Sequence, residues 1–360
     1  MFAGMRLFLL PFLLICTNCI AQSFWKNAEI GVQGNYGSYF TSSAKADFVK
    51  DSYTFFGEIS ISKPVRSFPL PKKTYPLQWG TTIYFGSTGS KQYIGKMGGA
   101  YGFLDFGIIG SRLTSLRMRT GLGLGFVEFP YDAETNHKNV VIGSKANLFI
   151  HAELKNVWHI NQKWNLNAGV SISHLSNATT KLPNLGLNIP AFTAGLSTFI
   201  NQSPFERITY QDSFRKKWNA IIQLTAGIKQ VPWVNSKRYG QMILSSEFLY
   251  QPNRFGRFGG GLAITYDPSQ DNLFIDSIIT VGIKNYPTTN LALFASYEII
   301  LGRVSIPIQF GASLLDTKKR FYQNYGIRYR LTENLSLAGY LRTHGGTADF
   351  LHGGISYHFK

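Results

Sequence analysis

The chain has 360 residues and a formal net charge of +17, and both of its cysteines lie within the first 21 residues. Beyond those residues the composition excludes disulfides, thiolate metal sites and a cysteine nucleophile. The strong positive charge favours partners that carry negative charge.

The first 21 residues have the pattern of a secretory signal peptide. A positive charge at Arg6 precedes an apolar run from Leu7 to Ile15, and a small residue, Ala21, precedes Gln22. The run is too short for a transmembrane helix, so we predict cleavage after Ala21. An exported basic chain meets anionic lipid and phosphorylated glycolipid rather than nucleic acid, and we expect no nucleic-acid partner.

The rest of the chain is rich in apolar residues but lacks long apolar runs. It is 44% hydrophobic and 15% aromatic with a mean hydropathy of −0.05, and no run of eighteen apolar residues follows the signal peptide. Strands that alternate between lipid and a polar interior produce this combination. The composition therefore predicts an all-β protein, a transmembrane antiparallel β-barrel of the outer membrane.

Alternation with a period of two marks the individual strands. Ala146 to Leu154 places Leu148, Ile150 and Ala152 on one face against Asn147, His151 and Glu153 on the other, and 164–173 repeats the pattern after a short turn. Similar segments occur near 28–40, 52–62, 74–86, 99–110, 114–128, 190–200, 217–229, 240–250, 257–267, 290–300, 303–313, 320–331, 334–343 and 349–359. We predict sixteen strands, or fourteen if some segments merge, with 272–283 as a long loop.

The order of turns and the C-terminus extend this prediction to the whole mature chain. Long connections such as 129–141 and 177–189 alternate with short ones such as 160–163, as outer-membrane barrels alternate external loops with periplasmic turns. His352, Gly354, Tyr357 and Phe359 resemble the assembly signal at the end of such barrels. We expect one barrel over residues 22–360.

The stretch from Ser171 to Asn188 is the candidate site. His174 and Ser176 are two residues apart at a strand end, so their side chains point to the same face, as a general base and its nucleophile require. Both continue the even-numbered apolar row of Trp164 and Val170, which predicts that they face lipid at the outer rim. Asn188 has the same facing on the next strand, and polar groups on a lipid face call for a functional interpretation.

This arrangement predicts ester hydrolysis. His174 takes the proton of Ser176, and the serine attacks an acyl carbonyl. Asn188 orients the imidazole, as a neutral asparagine does in Cys-His-Asn proteases. Asn184, in the turn Pro183-Asn184-Leu185-Gly186, donates its amide to the oxyanion.

His-x-Ser-Asn followed by Pro-Asn-x-Gly resembles the active-site signature of outer-membrane lipid A 3-O-deacylases, also described as acyloxyacyl-hydrolase-like proteins. The resemblance covers about twenty residues, with weaker likeness at 142–144 and 343–350. It implies His174 as base, Ser176 as nucleophile, and Asn177 and Asn184 as active-site asparagines. The chain departs from the family at Asn188, where the acidic triad member is expected, and in its length, about twice that of the eight-stranded members.

The sequence therefore predicts a serine esterase that removes an acyl chain from lipid A, with lipopolysaccharide of the outer leaflet as its partner and with no metal or cofactor. Two alternatives stay open, a non-enzymatic channel or structural barrel and an outer-membrane phospholipase. Lysines of the predicted outer loops are candidates to bind lipid A phosphates, or are simply solvated. They are Lys45, Lys50, Lys91, Lys96, Lys138 and Lys181.

Overall fold

Sixteen antiparallel strands make up most of the described chain in the computed structural model. It describes residues 27–41, 44–65, 77–200, 214–230, 237–272, 288–315, 320–345 and 347–359. The signal-peptide prediction and the 272–283 loop, apart from residue 272, lie outside these ranges. The strands are Ala28–Gly37 (β1), Thr54–Pro64 (β2), Gln78–Ser90 (β3), Gly95–Gly110 (β4), Thr114–Val127 (β5), Ala146–His159 (β6), Trp164–Ser176 (β7), Leu187–Ile200 (β8), Lys217–Gln230 (β9), Arg238–Asn253 (β10), Gly256–Tyr266 (β11), Thr289–Leu301 (β12), Val304–Ser313 (β13), Phe321–Arg330 (β14), Leu335–His344 (β15) and Thr347–Phe359 (β16).

Two 3-10 helices, Ala44–Val49 and Pro268–Asn272, complete the regular structure of the described residues. No helix within the described ranges is long and apolar enough to cross a membrane.

The first eight strands form one closed barrel. Each pairs with its neighbour in sequence, and β8 returns to β1 with Phe192 opposite Tyr36. Large apolar side chains cover the outside, including Ile83, Leu154, Val170 and Phe192, all of them well exposed. This outward apolar row meets lipid in an outer-membrane barrel.

The last eight strands form a second closed barrel. Here β16 returns to β9, with His352 opposite Gly227. The outside is again apolar, with Leu224, Phe248 and Ile355 exposed.

The predicted class and the number of strands are confirmed, but the expected single barrel over 22–360 is wrong. The strands close as two barrels of eight. The physical reason is that one sixteen-stranded barrel and two eight-stranded barrels have the same alternation along every strand. Only the pairings of β1 with β8 and of β9 with β16 distinguish them, and these join residues far apart in the chain.

Side chains fill the interior of the first barrel in two layers. One is aromatic, where the ring of Phe149 stacks on Tyr84 at 4.1 Å between centroids and lies 5.3 Å from Tyr101. The other is charged and centres on Asp105, which binds Arg117 at 2.5 Å, Lys155 at 3.2 Å and Arg119 at 3.3 Å. An eight-stranded barrel has an interior just wide enough for side chains to fill.

A buried arginine organises the interior of the second barrel. The guanidinium of Arg328 binds Glu298 and Glu247, each at 2.8 Å, and also donates to the hydroxyl of Tyr340 at 2.8 Å and to Gln223 at 3.2 Å. Arg328 is 1% exposed, so these partners replace the water that its charge would otherwise bind.

Candidate functional site

The end of β7 positions the predicted base and nucleophile. Alternation puts Ser173 and Leu175 inside the first barrel, fully buried, whereas His174 continues the outward row of Val170 and Ile172. Ser176 is the last residue of the strand and only 6% exposed. The two side chains that the sequence predicts to share a face therefore do so.

His174 joins Ser176 and Asn188 in one line of hydrogen bonds. Its Nε2 lies 2.9 Å from Ser176 Oγ, and its Nδ1 lies 2.8 Å from Asn188 Oδ1. An amide oxygen can only accept, so Nδ1 carries the ring proton and donates it to Asn188. Nε2 is then the unprotonated nitrogen, and it accepts the hydrogen bond from the serine hydroxyl.

The backbone of Phe40 holds Asn188 in place. The N–H of Phe40 donates to Asn188 O at 2.8 Å, and the N–H of Asn188 donates to Phe40 O at 3.0 Å. The Asn188 side chain also donates from Nδ2 to Phe40 O at 3.4 Å, which leaves Oδ1 directed at His174. Next to Phe40, burial raises the pKa of the Tyr39 phenol, so that group stays neutral.

Gly186 packs against the edge of the His174 ring. Its φ of +74° lies in the left-handed region that favours glycine, and a Cβ added there would stand 2.8 Å from His174 Cε1. A side chain at this position would therefore collide with the carbon between the two ring nitrogens. This contact gives a physical reason for the glycine of the Pro-Asn-x-Gly turn.

The predicted supporting asparagines bind each other. Asn184 Oδ1 accepts the backbone N–H of Asn177 at 2.9 Å, and Asn177 Nδ2 donates to Lys181 O at 2.7 Å. Asn177 is thus a turn-forming residue directly after Ser176 in the chain, and its carbonyl accepts the N–H of Thr180 at 3.1 Å.

The turn after Ser176 is strained. Ala178 and Thr179 adopt φ values of +48° and +61°, which cost non-glycine residues of order 1–3 kcal/mol each. For Thr179, whose side chain branches at Cβ, this conformation is an outlier. Such strain concentrates at functional sites.

Two other histidines have different surroundings. His151 lies inside the first barrel, 1% exposed, with Nδ1 at 2.9 Å from Ser173 Oγ. His344 in the second barrel pairs with Asp349 at 3.3 Å.

No group of three or more His, Cys, Asp or Glu in the described parts of the chain could hold a metal ion. Sequence reasoning missed Phe40, which acts through its backbone and leaves no side-chain signal. The arrangement that remains is a serine hydroxyl bonded to an unprotonated imidazole nitrogen, with a third group fixing the ring. This combination activates a serine for attack on a carbonyl carbon.

Each barrel matches a known family model. Residues 59–197 match the model of lipid A 3-O-deacylase (PagL), and residues 218–360 match the C-terminal domain model of acyloxyacyl hydrolase. These matches confirm the resemblance found in the sequence.

Two solved structures are similar to about half of the chain. The outer membrane enzyme PagL is 14% identical with a TM-score of 0.33, over 46% of this chain and 97% of that one. Neisserial surface protein A (NspA) is 9% identical with a TM-score of 0.35, over 48% and 97%. No curated protein matches the chain.

Proposed function

We propose that this chain, whose two barrels match models of the lipid A 3-O-deacylase and of the acyloxyacyl hydrolase C-terminal domain, is an outer-membrane β-barrel protein that hydrolyses an ester-linked acyl chain of lipid A at Ser176. The observation that carries the proposal is the line of hydrogen bonds from Asn188 through His174 to Ser176, at 2.8 and 2.9 Å. These distances are those that a general base needs to take a proton from its nucleophile.

The reaction has two steps. Ser176 Oγ attacks the acyl carbonyl carbon while its proton passes to His174 Nε2, and the alcohol oxygen of the lipid A sugar leaves with that proton. The acyl group is then bonded to Ser176. Water attacks the acyl carbonyl with His174 again as base, and the fatty acid leaves as the serine hydroxyl is restored.

Two asparagines support these steps in the proposal. Asn188 holds the imidazole in the tautomer whose Nε2 is free to accept a proton, but a neutral amide stabilises the imidazolium less than a carboxylate would. Asn184 donates Nδ2 to the oxyanion, a contact worth about 3–4 kcal/mol in other hydrolases. The bond from Asn177 N–H to Asn184 Oδ1 supports this role, because it occupies the oxygen of the amide and not its donor.

The facing of the site defines how substrate arrives. His174 belongs to the outward row of β7, which supports a site on the lipid-facing side. In the proposal this site lies at the outer rim, within reach of the acyl chains of lipid A. Exposed lysines at 50, 91, 96 and 138 suit the phosphates of lipid A, as the sequence suggested.

A channel is the alternative that the interiors disfavour. In the first barrel, aromatic side chains stack around Phe149 in the interior. In the second barrel, Arg328 and its partners pack together in the interior. Packed side chains of this kind are typical of eight-stranded barrels, whose interior is just wide enough for side chains to fill.

The test is mass spectrometry of lipid A incubated with purified wild type, Ser176→Ala or Ser173→Ala. Wild type should remove the mass of one hydroxyacyl chain, and Ser176→Ala should slow this at least about 10³-fold because the nucleophile is gone. Ser173→Ala is the matched control. Ser173 lies on the same strand at 2.9 Å from a histidine, but inside the barrel, so its loss should leave the product unchanged.

Identical lipid A after incubation with wild type and Ser176→Ala would end the proposal. Fatty acid released from added phospholipid, with lipid A intact, would instead identify a phospholipase that uses the same serine.

A further inference from the structure

Asn139, in the connection between β5 and β6, is a buried asparagine that uses its whole hydrogen-bonding capacity. Its Nδ2 donates to Phe129 O at 2.8 Å and to Tyr93 O at 3.2 Å, while its Oδ1 accepts the N–H groups of Val141 at 3.1 Å and Ile142 at 3.2 Å. The residue is 0% exposed. Two donors and two acceptor positions are all that a carboxamide has, and here each is matched by a backbone group.

The segment that Asn139 fixes reaches the candidate site through one carbonyl. Val141 O accepts the N–H of Leu185 at 2.9 Å and that of Gly186 at 3.3 Å. Gly186 is the residue whose Cα lies against the His174 ring, with no room for a Cβ. A continuous path of short contacts therefore runs from Asn139 through Val141 and Gly186 to the imidazole.

The surroundings of this path are rigid. Val141 and Ile142 are fully buried in the same apolar cluster as Leu175 and Leu187, the neighbours in sequence of His174 and Asn188. Close-packed interiors transmit a displacement instead of absorbing it. A shift of Val141 would consequently move Gly186 and release the edge of the ring.

We propose that Asn139 is a positioning residue for the hydrolysis, which deepens the proposed function and rests on it. By holding the Val141 carbonyl, Asn139 keeps Gly186 against His174, so that Nε2 stays directed at Ser176 Oγ. It touches neither the substrate nor the reacting atoms. Its effect is on the geometry of the base, where a misplacement of about 1 Å can cost about 100-fold in rate.

Asn136 provides a matched control in the same connection. Its Nδ2 donates to Tyr93 O at 2.9 Å, to Pro130 O at 3.0 Å and to Phe129 O at 3.4 Å. It therefore shares with Asn139 the two carbonyls at Tyr93 and Phe129. Of the two, Asn139 alone also binds the N–H groups of Val141 and Ile142. Comparison of the two variants therefore distinguishes an effect of holding the connection in place from an effect on the position of the base.

The experiment compares Asn139→Ala, Asn139→Asp and Asn136→Ala in the full chain with lipid A as substrate. Folding is checked by the heat-modifiable gel mobility of the barrels. Asn139→Ala should lower kcat about 10-fold to 100-fold with KM within about twofold, because binding of substrate is untouched. Asn139→Asp keeps the acceptors for Val141 and Ile142 but loses the donors to Phe129 O and Tyr93 O, so it should lower kcat as well. Asn136→Ala should keep kcat within about threefold.

Amide hydrogen exchange gives a readout independent of activity. Exchange at Leu185 and Gly186 should accelerate in Asn139→Ala and stay as in wild type in Asn136→Ala. A folded Asn139→Ala with wild-type kcat, or with unchanged exchange at these two amides, would overturn the inference. If wild type and Ser176→Ala release no acyl chain, the proposed function fails by itself, and the exchange comparison still decides whether Asn139 holds Gly186.

Discussion

The two barrels carry similar polar groups at the ends of their seventh strands. In the first, His174 on strand seven bonds to Asn188 on strand eight, and Ser176 lies two residues on along the same face. In the second, His344 on β15 pairs with Asp349 on β16, but the residue two positions later is Gly346, which has no hydroxyl. A histidine with a partner at the end of strand seven is thus common to both barrels, and the nucleophile is what separates them.

The interiors differ in how many partners each charge has. In the first barrel three cations surround Asp105, so the loss of any one leaves two. In the second, Arg328 joins Glu247 to Glu298, and Glu298 also binds Arg257 at 2.8 Å, so that within the described residues Glu247 is the carboxylate that pairs with Arg328 alone. The second interior therefore depends more heavily on a single side chain.

Removal of that side chain should produce the largest change in stability. Arg328→Met leaves Glu247 buried without its cationic partner, and breaking a buried ion pair in this way typically costs about 3–5 kcal/mol. Urea unfolding of the refolded protein, followed by hydrogen exchange of the β9–β16 amides, measures the cost.

The comparison variant is Arg117→Met in the first barrel, where Asp105 keeps Lys155 and Arg119. The β1–β8 amides of this variant should lose clearly less protection from hydrogen exchange than the β9–β16 amides of Arg328→Met. Equal losses in the two barrels would show that the number of partners does not decide the cost.

After the stability change at Arg328, the next largest effect we expect is a loss of activity when a methyl group is added to Gly186. Gly186→Ala places a Cβ 2.8 Å from His174 Cε1, and displacement of the ring by about 1 Å can lower kcat about 100-fold. Gly345→Ala in the second barrel is the control, because Gly345 also has a positive φ, +58°, but open space around its Cβ position. Both variants carry backbone strain, and kcat for lipid A separates strain from collision. Similar kcat values for the two variants would argue against the contact with His174.

The smallest effect that we expect is an increase in kcat, on replacement of Asn188 by aspartate. Asn188→Asp keeps the shape of the side chain and adds the charge that the family's triad has, and a charge-assisted bond to the imidazolium should raise kcat about tenfold. The mirror change, Asp349→Asn, neutralises the histidine partner of the second barrel and should leave kcat as it is. A fall of Asn188→Asp to background activity would mean that Asn188 does not orient His174.

Strand positions and facing were predictable from the sequence because they depend on local alternation. The pattern over 146–154 and 164–173 predicted β6 and β7, and the parity of His174 and Ser176 placed both on the outward row. The bond from His174 to Asn188 followed from the same reasoning, since the two residues lie opposite each other on adjacent strands. Whether these residues catalyse stays a prediction.

What the sequence could not provide depends on pairings between distant residues. The pairing of β1 with β8 joins segments more than a hundred residues apart. The alternation of apolar and polar residues within each strand does not indicate which strands pair. Alternation could place Arg328 and Glu247 on the inward face of their strands, but it could not indicate that the two side chains form an ion pair. Asn139 looks like an ordinary loop asparagine until its four backbone partners are known.

The outward position of His174 also sets the kinetics of the proposed reaction. A site on the outside of the wall receives its substrate by lateral diffusion in the plane of the membrane, and its product leaves the same way. The effective substrate concentration is then the mole fraction of lipid A in the leaflet. Dilution with inert lipid or detergent would slow turnover even when the amount of lipid A per volume of solution is constant.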